Sequence, residues 1–225
     1  MLRGVLRTLL QVASIATLRK QRFIIFDDLK ARCFGKAVLI CGAGPSLKKL
    51  ESVAADYDII VGVNGLSRFY AGSNLFSYFF IEDFEAYLNY SSEFDEHKVI
   101  LASGMPGHKH RQIPFLHFYG YPRFFTKPIF SKTGHVIFWA GSVIPFAVNV
   151  IALSAPRSID ILGFDLSGSD HFSCQYRTNS DLVNPTNWDK QRNGAIEAFS
   201  KAQEMGVPIK SIGDFKWPQE ACCND

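Results

Sequence analysis

The stretch that most constrains the fold is residues 38–47, which read VLICGAGPSL. Four apolar residues run directly into a Gly-Ala-Gly turn, and Pro45 and Ser46 follow it. This order is typical of a buried strand, a tight turn and the first turn of a helix, where the missing N–H of proline costs nothing. Gly42 and Gly44 allow the backbone to come close to a ligand, and the N–H groups of the helix start can face a phosphate. The motif therefore predicts a site for a nucleotide or another phosphorylated ligand.

Composition favours one α/β domain preceded by a basic leader. The chain has 225 residues, of which 47% are hydrophobic, enough for a substantial core. Residues 1–36 carry eight Lys and Arg and two Asp, a net charge of +6, so that the rest of the chain carries −3 of the total of +3. That total is too small to indicate nucleic-acid binding by itself. We therefore divide the chain into a leader, residues 1–36, and a nucleotide-binding domain, residues 37–225.

The leader has the pattern of a basic amphipathic helix. Its apolar residues recur at roughly helical spacing: Leu2, Val5, Leu6, Leu9, Leu10, Ile15 and Leu18. Arg3 and Arg7 interrupt the apolar run, which falls well short of the ~20 residues of a transmembrane helix. Two interpretations remain open: the helix lies on an anionic membrane surface, or it packs on the core of the domain.

The cysteines favour a reducing compartment. The five cysteines form no Cys-x-x-Cys pair, and Cys222 and Cys223 are adjacent, which is poor geometry for a mutual disulfide. We therefore expect a cytoplasmic protein, peripheral on the inner membrane face if the leader binds a membrane.

Apolar runs alternate with helical patterns after the leader. Strands are predicted over residues 37–41, 58–63, 76–81, 98–102, 158–164 and 207–212, and helices over 45–54, 141–155 and 188–205. This alternation predicts an open, mainly parallel, Rossmann-like sheet with helices on both faces. Ligands of such sheets bind beyond the carboxyl ends of the strands, where Gly42–Ser46, Asn64 and Asp165 stand in this sequence.

The motif excludes several familiar nucleotide sites. Leu47 stands where the third glycine of a dinucleotide fingerprint would be, and no Gly-Lys-Ser/Thr follows for a P-loop. The histidines show no metal-ligand spacing, and no metal site is predicted. Plain structural interpretations also stand: a tight strand–helix turn at residues 42–46, a turn at Asn64, and a simple N-cap at Ser142.

Three segments together resemble a known family. ICGAGPSLK at residues 40–48 is similar to the opening of the bacterial lipooligosaccharide sialyltransferases of glycosyltransferase family 42. It also resembles a broader group with flagellin-glycosylation accessory proteins and archaeal pterin diphosphokinases. Val63-Asn64-Gly65 matches the second family segment. Ala140-Gly141-Ser142-Val143, followed by an apolar helix and then by IDILGFD at residues 159–165, matches the third, a small-residue helix start and its following strand-Gly-x-Asp.

The resemblance implies a cytidine monophosphate–linked sugar as the ligand. Gly42, Gly44, Pro45 and Ser46 would then lie against the nucleotide. Asn64 would bind the ribose, phosphate or sugar. Ser142 would hold an anion at a helix start, and Asp165 would end its strand in the crevice.

The sequence departs from the family at the catalytic base. The family places a histidine just before its last helix, where this chain has Asn187 and Trp188. His171 is the nearest histidine of that loop and suits proton transfer near neutral pH, although a loop histidine is commonly just solvent-exposed. Tyr176 is the candidate for stabilising the leaving phosphate, since the family uses tyrosine hydroxyls rather than a metal. Asp83, directly after a predicted strand, is a weaker candidate for a sugar or acceptor contact.

Taken with the resemblance, these residues lead us to expect a glycosyltransferase without a cofactor. It would move a sugar from a cytidine-nucleotide donor to a hydroxyl of a glycan or glycolipid, with His171, Tyr176 and Asp165 as catalytic residues. Two alternatives stay open. One is a pterin-type diphosphokinase that uses ATP and Mg²⁺, and the other is a nucleotide-binding accessory protein without chemistry of its own.

Overall fold

Six parallel strands form the centre of the protein. The structure, a computed structural model, describes residues 29–64, 66, 70, 73–81, 99–101, 142–166, 188–213 and 215. The strands are β1 (Ala37–Cys41), β2 (Ile59–Val63), β3 (Tyr78–Ile81), β4 (Val99–Leu101), β5 (Ser158–Leu162) and β6 (Ile209–Ser211). Each lies within two residues of its predicted span at either end.

The strand order is β4-β3-β2-β1-β5-β6, and every pairing among the described strands is parallel. The chain therefore steps outward from β1 to β4, then returns to place β5 on the other side of β1. All six strands end at one edge of the sheet, which we call the carboxyl edge. The direction in which successive strands are added to the sheet reverses between β1 and β5, so the ends of these two parallel strands form a topological switch point.

Both faces of the sheet are covered, as predicted. Two long helices, α2 (Val143–Ala152) and α3 (Trp188–Glu204), belong to one face, where all ten residues of α2 are buried. The phenyl rings of Phe80 on β3 and Phe146 on α2 meet edge to face, 5.4 Å between centroids. On the other face, Leu47, Leu50 and Leu66 form a second core with strand residues. Strands buried on both faces explain why their sequences show no polar alternation.

The end of the leader packs on the first of these faces. Residues 29–33 are helical, and Leu29 and Cys33 are buried in the core that α2 and α3 share. Lys30 and Arg32 of the same helix are exposed. Residues 1–28 lie outside the described residues, so the amphipathic helix predicted there stays a prediction.

The helix predicted for residues 45–54 is a series of shorter turns. A 3-10 helix (Pro45–Lys49) leads into the single-turn helix α1 (Leu50–Val53) and a second 3-10 helix (Ala54–Asp56). Leu47 N–H donates to the carbonyl of Gly44, the i to i−3 bond of a 3-10 helix. This tighter winding places Leu47 and Leu50 on the same side, where both are buried.

A polar cluster around the buried carboxylate of Asp160 connects these turns to β5 and β6. Tyr57 donates its hydroxyl hydrogen bond to Asp160, and Lys210 Nζ lies 3.0 Å from the same carboxylate. Burial, followed by the Asp160 hydrogen bond and charge, raises the pKa of the Tyr57 hydroxyl far above its usual value. Because the folded pKa exceeds the unfolded one, this contribution to stability is fully present below pH ~10 and is lost as the pH rises further.

Tyr57→Phe removes one hydrogen bond from the buried carboxylate of Asp160. Because hydrogen bonds to charged groups contribute ~1.5–3 kcal/mol, we expect a lower free energy of unfolding by about that amount in urea denaturation at pH 7. Tyr70→Phe is the matched control, since burial also raises the pKa of the Tyr70 hydroxyl but no described residue accepts a hydrogen bond from it. Equal losses in the two variants would contradict a special role for the Tyr57 hydroxyl.

Candidate functional site

The candidate site lies at the switch point, where β1 and β5 end. We call residues 42–46 the first turn and residues 163–166 the β5 end. The chain after the first turn packs on one face of the sheet. The β5 end lies next to the first turn, because β1 and β5 are neighbouring strands. In open α/β sheets, ligands bind in the crevice outside the strands at this kind of position.

Backbone hydrogen bonds extend the pairing of β1 and β5 beyond the strands. Gly42 N–H donates to the Leu162 carbonyl at 2.7 Å, and Gly44 N–H donates to the Gly163 carbonyl at 2.7 Å. The two backbones therefore run side by side through the first turn, so two N–H groups of that turn already have acceptors within the protein.

Ser46 and Asp165 complete this connection through side chains. Ser46 N–H donates to Asp165 Oδ2 at 2.8 Å, and Ser46 Oγ accepts a hydrogen bond from Gly163 N–H at 2.8 Å. Ser46 is only 8% exposed and Asp165 only 5%. We call these bonds, with that of Gly44 to Gly163, the turn lock.

The glycines of the first turn are required by this close approach of two backbones. A Cβ on Gly42 would overlap the Gly163 carbonyl oxygen. A Cβ on Gly44 would overlap Asp165 Oδ2 and lie 2.7 Å from the same carbonyl oxygen. From the sequence, we explained these glycines by the close approach of a ligand. The contacts within the chain are by themselves enough to require glycine at both positions.

The end of β6 also reaches the buried carboxylate. A Cβ on Gly213 would overlap Asp165 Oδ1 and would lie 2.6 Å from Ser46 Oγ. Gly213 was not among the predicted site residues. The sequence feature that could have identified it is its position directly after the last predicted strand, at the carboxyl edge.

Asn64, at the end of β2, presents an unsatisfied polar atom. Its backbone has φ +48°, and its N–H donates to the Phe80 carbonyl at 2.8 Å. Its side-chain Oδ1 is buried and accepts no hydrogen bond from the described residues. Cys41 on β1 pairs with Gly62 on β2, so Ala43 and Asn64 each lie two residues beyond this pair, after the ends of neighbouring strands. A buried acceptor without a donor costs stability unless a water molecule or a ligand supplies the donor.

The start of α2 lies beside the first turn. The Ile144 side chain comes within 3.3 Å of the Cβ position of Gly42. Ser142 occupies the N-cap position in an extended conformation, but its side chain makes no capping hydrogen bond. The first turn of α2 contains no acidic residue, so the positive end of the helix dipole is not neutralised from within that turn.

The thiol of Cys41 is close to the site but is unreactive. Cys41 is the last residue of β1 and has no exposed surface. Burial raises the pKa of its thiol far above the usual value, so the group stays protonated and is a poor nucleophile.

The structure brings most of the predicted binding residues to one edge. Gly42, Gly44, Pro45 and Ser46 form the first turn with Asp165 against it, and Asn64 and Ser142 lie at the ends of the neighbouring elements. His171, Tyr176 and Asp83 fall outside the described residues, so their roles stay predictions. Among the residues that are described, no three His, Cys, Asp or Glu side chains gather into a candidate metal site. No described helix is long and apolar enough to cross a membrane.

Comparison with known proteins gives no identification: no family model matches the chain, and neither does any curated protein. The likeness to glycosyltransferase family 42 therefore depends on the three short motifs alone.

Gly163→Ala tests how closely β1 and β5 approach at their ends. Gly163 and Gly206 both have positive φ, +73° and +84°, but only a Cβ on Gly163 meets another backbone, at the Gly42 carbonyl. Gly206→Ala should cost only the left-handed strain of ~1–2 kcal/mol. Gly163→Ala should cost a further ~1–3 kcal/mol from overlap, measured as free energy of unfolding in urea. Equal costs would show that the strand ends are farther apart than described.

Proposed function

We propose that the chain is a glycosyltransferase that binds a cytidine-nucleotide sugar donor at the carboxyl edge, beside the first turn. It would transfer the sugar to a hydroxyl of a glycan or glycolipid. The observation that carries the proposal is the buried Oδ1 of Asn64, which accepts no hydrogen bond from a described residue and lies after β2 at the carboxyl edge.

Asn64 can recognise the donor through its amide. A ribose or sugar hydroxyl can donate to Oδ1 and also accept from the amide N–H₂, which makes a hydroxyl-bearing ligand a good complement. Ala43, Gly44 and Pro45 are half-buried, so the neighbouring first turn offers a partly open backbone surface. A small polar ligand could lie across this surface and reach Asn64.

The start of α2 can hold the charged part of the donor. The N–H groups of Val143 and Ile144 have no acceptors within the helix, whereas Pro145 has no N–H, and the helix dipole favours an anion there. Ser142 adds a hydroxyl that makes no capping bond, and the first turn of α2 holds no acidic residue to repel a phosphate. We therefore place the donor phosphate nearer Ser142 than Ser46, whose N–H and Oγ are both engaged in the turn lock.

The transfer step needs a base and a group that stabilises the leaving phosphate. In the proposed reaction the acceptor hydroxyl attacks the anomeric carbon of the donor, and the bond from that carbon to the phosphate oxygen breaks. His171 would accept the hydroxyl proton, and the Tyr176 hydroxyl would hydrogen-bond the departing phosphate. Both roles come from the position of these residues in the sequence.

A nucleotide panel in a thermal-shift assay tests the ligand class. We expect cytidine monophosphate to raise Tm without added metal. At 100 times its dissociation constant, such a ligand adds ~2.7 kcal/mol of stability. Stabilisation only by ATP with Mg²⁺ would favour the diphosphokinase alternative. Nucleotide binding without sugar transfer from any cytidine-sugar donor would favour the accessory protein.

Asn64→Gly tests the residue that carries the proposal. Glycine accepts the φ of +48° and removes the unsatisfied Oδ1, so stability should stay the same or rise. Affinity for cytidine monophosphate should fall about tenfold, or ~1.4 kcal/mol, measured by calorimetric titration. Ala155→Gly is the matched control, since Ala155 also has φ +48° but lies before β5, at the opposite edge. Unchanged affinity in Asn64→Gly would refute the assignment.

A further inference from the structure

We infer that Asp165 is a built-in anion: its carboxylate occupies the place in front of the Ser46 N–H where a ligand phosphate would otherwise bind, and it thereby positions the first turn. Asp165 is a positioning residue in this account, and Ser46 supports the turn without contacting the charged group of the ligand. The inference rests on the proposed function only for the place of the donor phosphate. The contact itself, and its test, need no nucleotide.

The geometry around Asp165 leaves no room for a second anion. Oδ2 lies 2.8 Å from Ser46 N, the distance of a full hydrogen bond. The Cα atoms of Gly44 and Gly213 approach the two carboxylate oxygens so closely that a Cβ on either glycine would overlap one of them. The carboxylate is therefore enclosed by backbone from the ends of β1 and β6.

The negative charge of Asp165 also disfavours a phosphate at the Ser46 N–H. Asp165 is 5% exposed, so water screens its charge poorly. A phosphate brought to the Ser46 N–H would have to displace a carboxylate fixed in the same chain, or share the site with it. Either arrangement is unfavourable, because the buried carboxylate would lose the Ser46 N–H as a donor or two anions would lie side by side. The first turn thus has the sequence of a phosphate loop while its anion position is already filled.

Asp165→Ala should create a vacant anion site that a small carboxylate can fill. We expect its Tm to fall below that of the wild type and to rise again, saturably, with added sodium formate but not with sodium chloride. The wild type should show no formate-specific rise. Asp165→Asn keeps an acceptor oxygen for the Ser46 N–H, so it should hold a higher Tm than Asp165→Ala and should not respond to formate.

Asp58→Ala is the matched control for the loss of a carboxylate that accepts a backbone hydrogen bond. Asp58 Oδ2 accepts from Ala37 N–H at 2.9 Å, but its side chain is 36% exposed. Water can replace that carboxylate, and the cations that pair with it, Lys36 and Arg157, have side chains that are 50% and 66% exposed, so formate should not raise the Tm of Asp58→Ala. A formate response as large as that of Asp165→Ala, or none in Asp165→Ala, would overturn the inference.

Wild-type protein supplies a second measurement if Asp165→Ala fails to fold. Inorganic phosphate is titrated into ¹⁵N-labelled protein, and the amide resonance of Ser46 is followed by NMR. We expect no saturable shift at Ser46, because its N–H is already bonded to Asp165. A saturable Ser46 shift would show that phosphate reaches this N–H and would overturn the inference. Failure of every nucleotide to bind would refute the proposed function, but would leave both of these results unchanged.

Discussion

The turn lock is the interaction on which the carboxyl edge depends. At a switch point, the loops after two neighbouring strands leave in opposite directions and would otherwise separate. Here the Gly44 and Ser46 N–H groups donate across the gap to Gly163 and Asp165, and Ser46 Oγ accepts a bond in return. Because one of these bonds ends on a buried charge, it contributes more than an ordinary backbone contact. The shape of any ligand crevice at this edge follows from that fixed arrangement.

The lock also divides the edge into two chemically different parts. On the β5 and β6 side, Asp165 and Gly213 are close-packed, and the polar groups of Ser46 are engaged. On the β2 and α2 side, the buried oxygen of Asn64 has no donor among the described residues, and Ser142 makes no capping bond. The buried Asn64 oxygen and the Ser142 hydroxyl both lie on the β2 and α2 side, which is where we propose that the donor binds.

Much of the fold could be predicted because the strands are short apolar runs. The pattern over residues 58–63 gives β2 (Ile59–Val63) to within one residue, and Gly206 ends α3 with φ +84°, as a helix stop requires. The turns after β1 were predicted as one helix, because apolar spacing alone does not distinguish i to i−3 from i to i−4 bonding. The partnership of Ser46 with Asp165 was also missed. It joins residues 119 positions apart and depends on β5 lying beside β1. The local sequence pattern does not specify which strands are neighbours.

A crystal structure of the protein with cytidine monophosphate would show directly where the nucleotide binds. We predict a nucleotide at the carboxyl edge, with the Asn64 side chain hydrogen-bonded to it and the Ser46 N–H still bonded to Asp165. A nucleotide bound away from this edge, or a phosphate oxygen in place of Asp165 on the Ser46 N–H, would contradict this prediction.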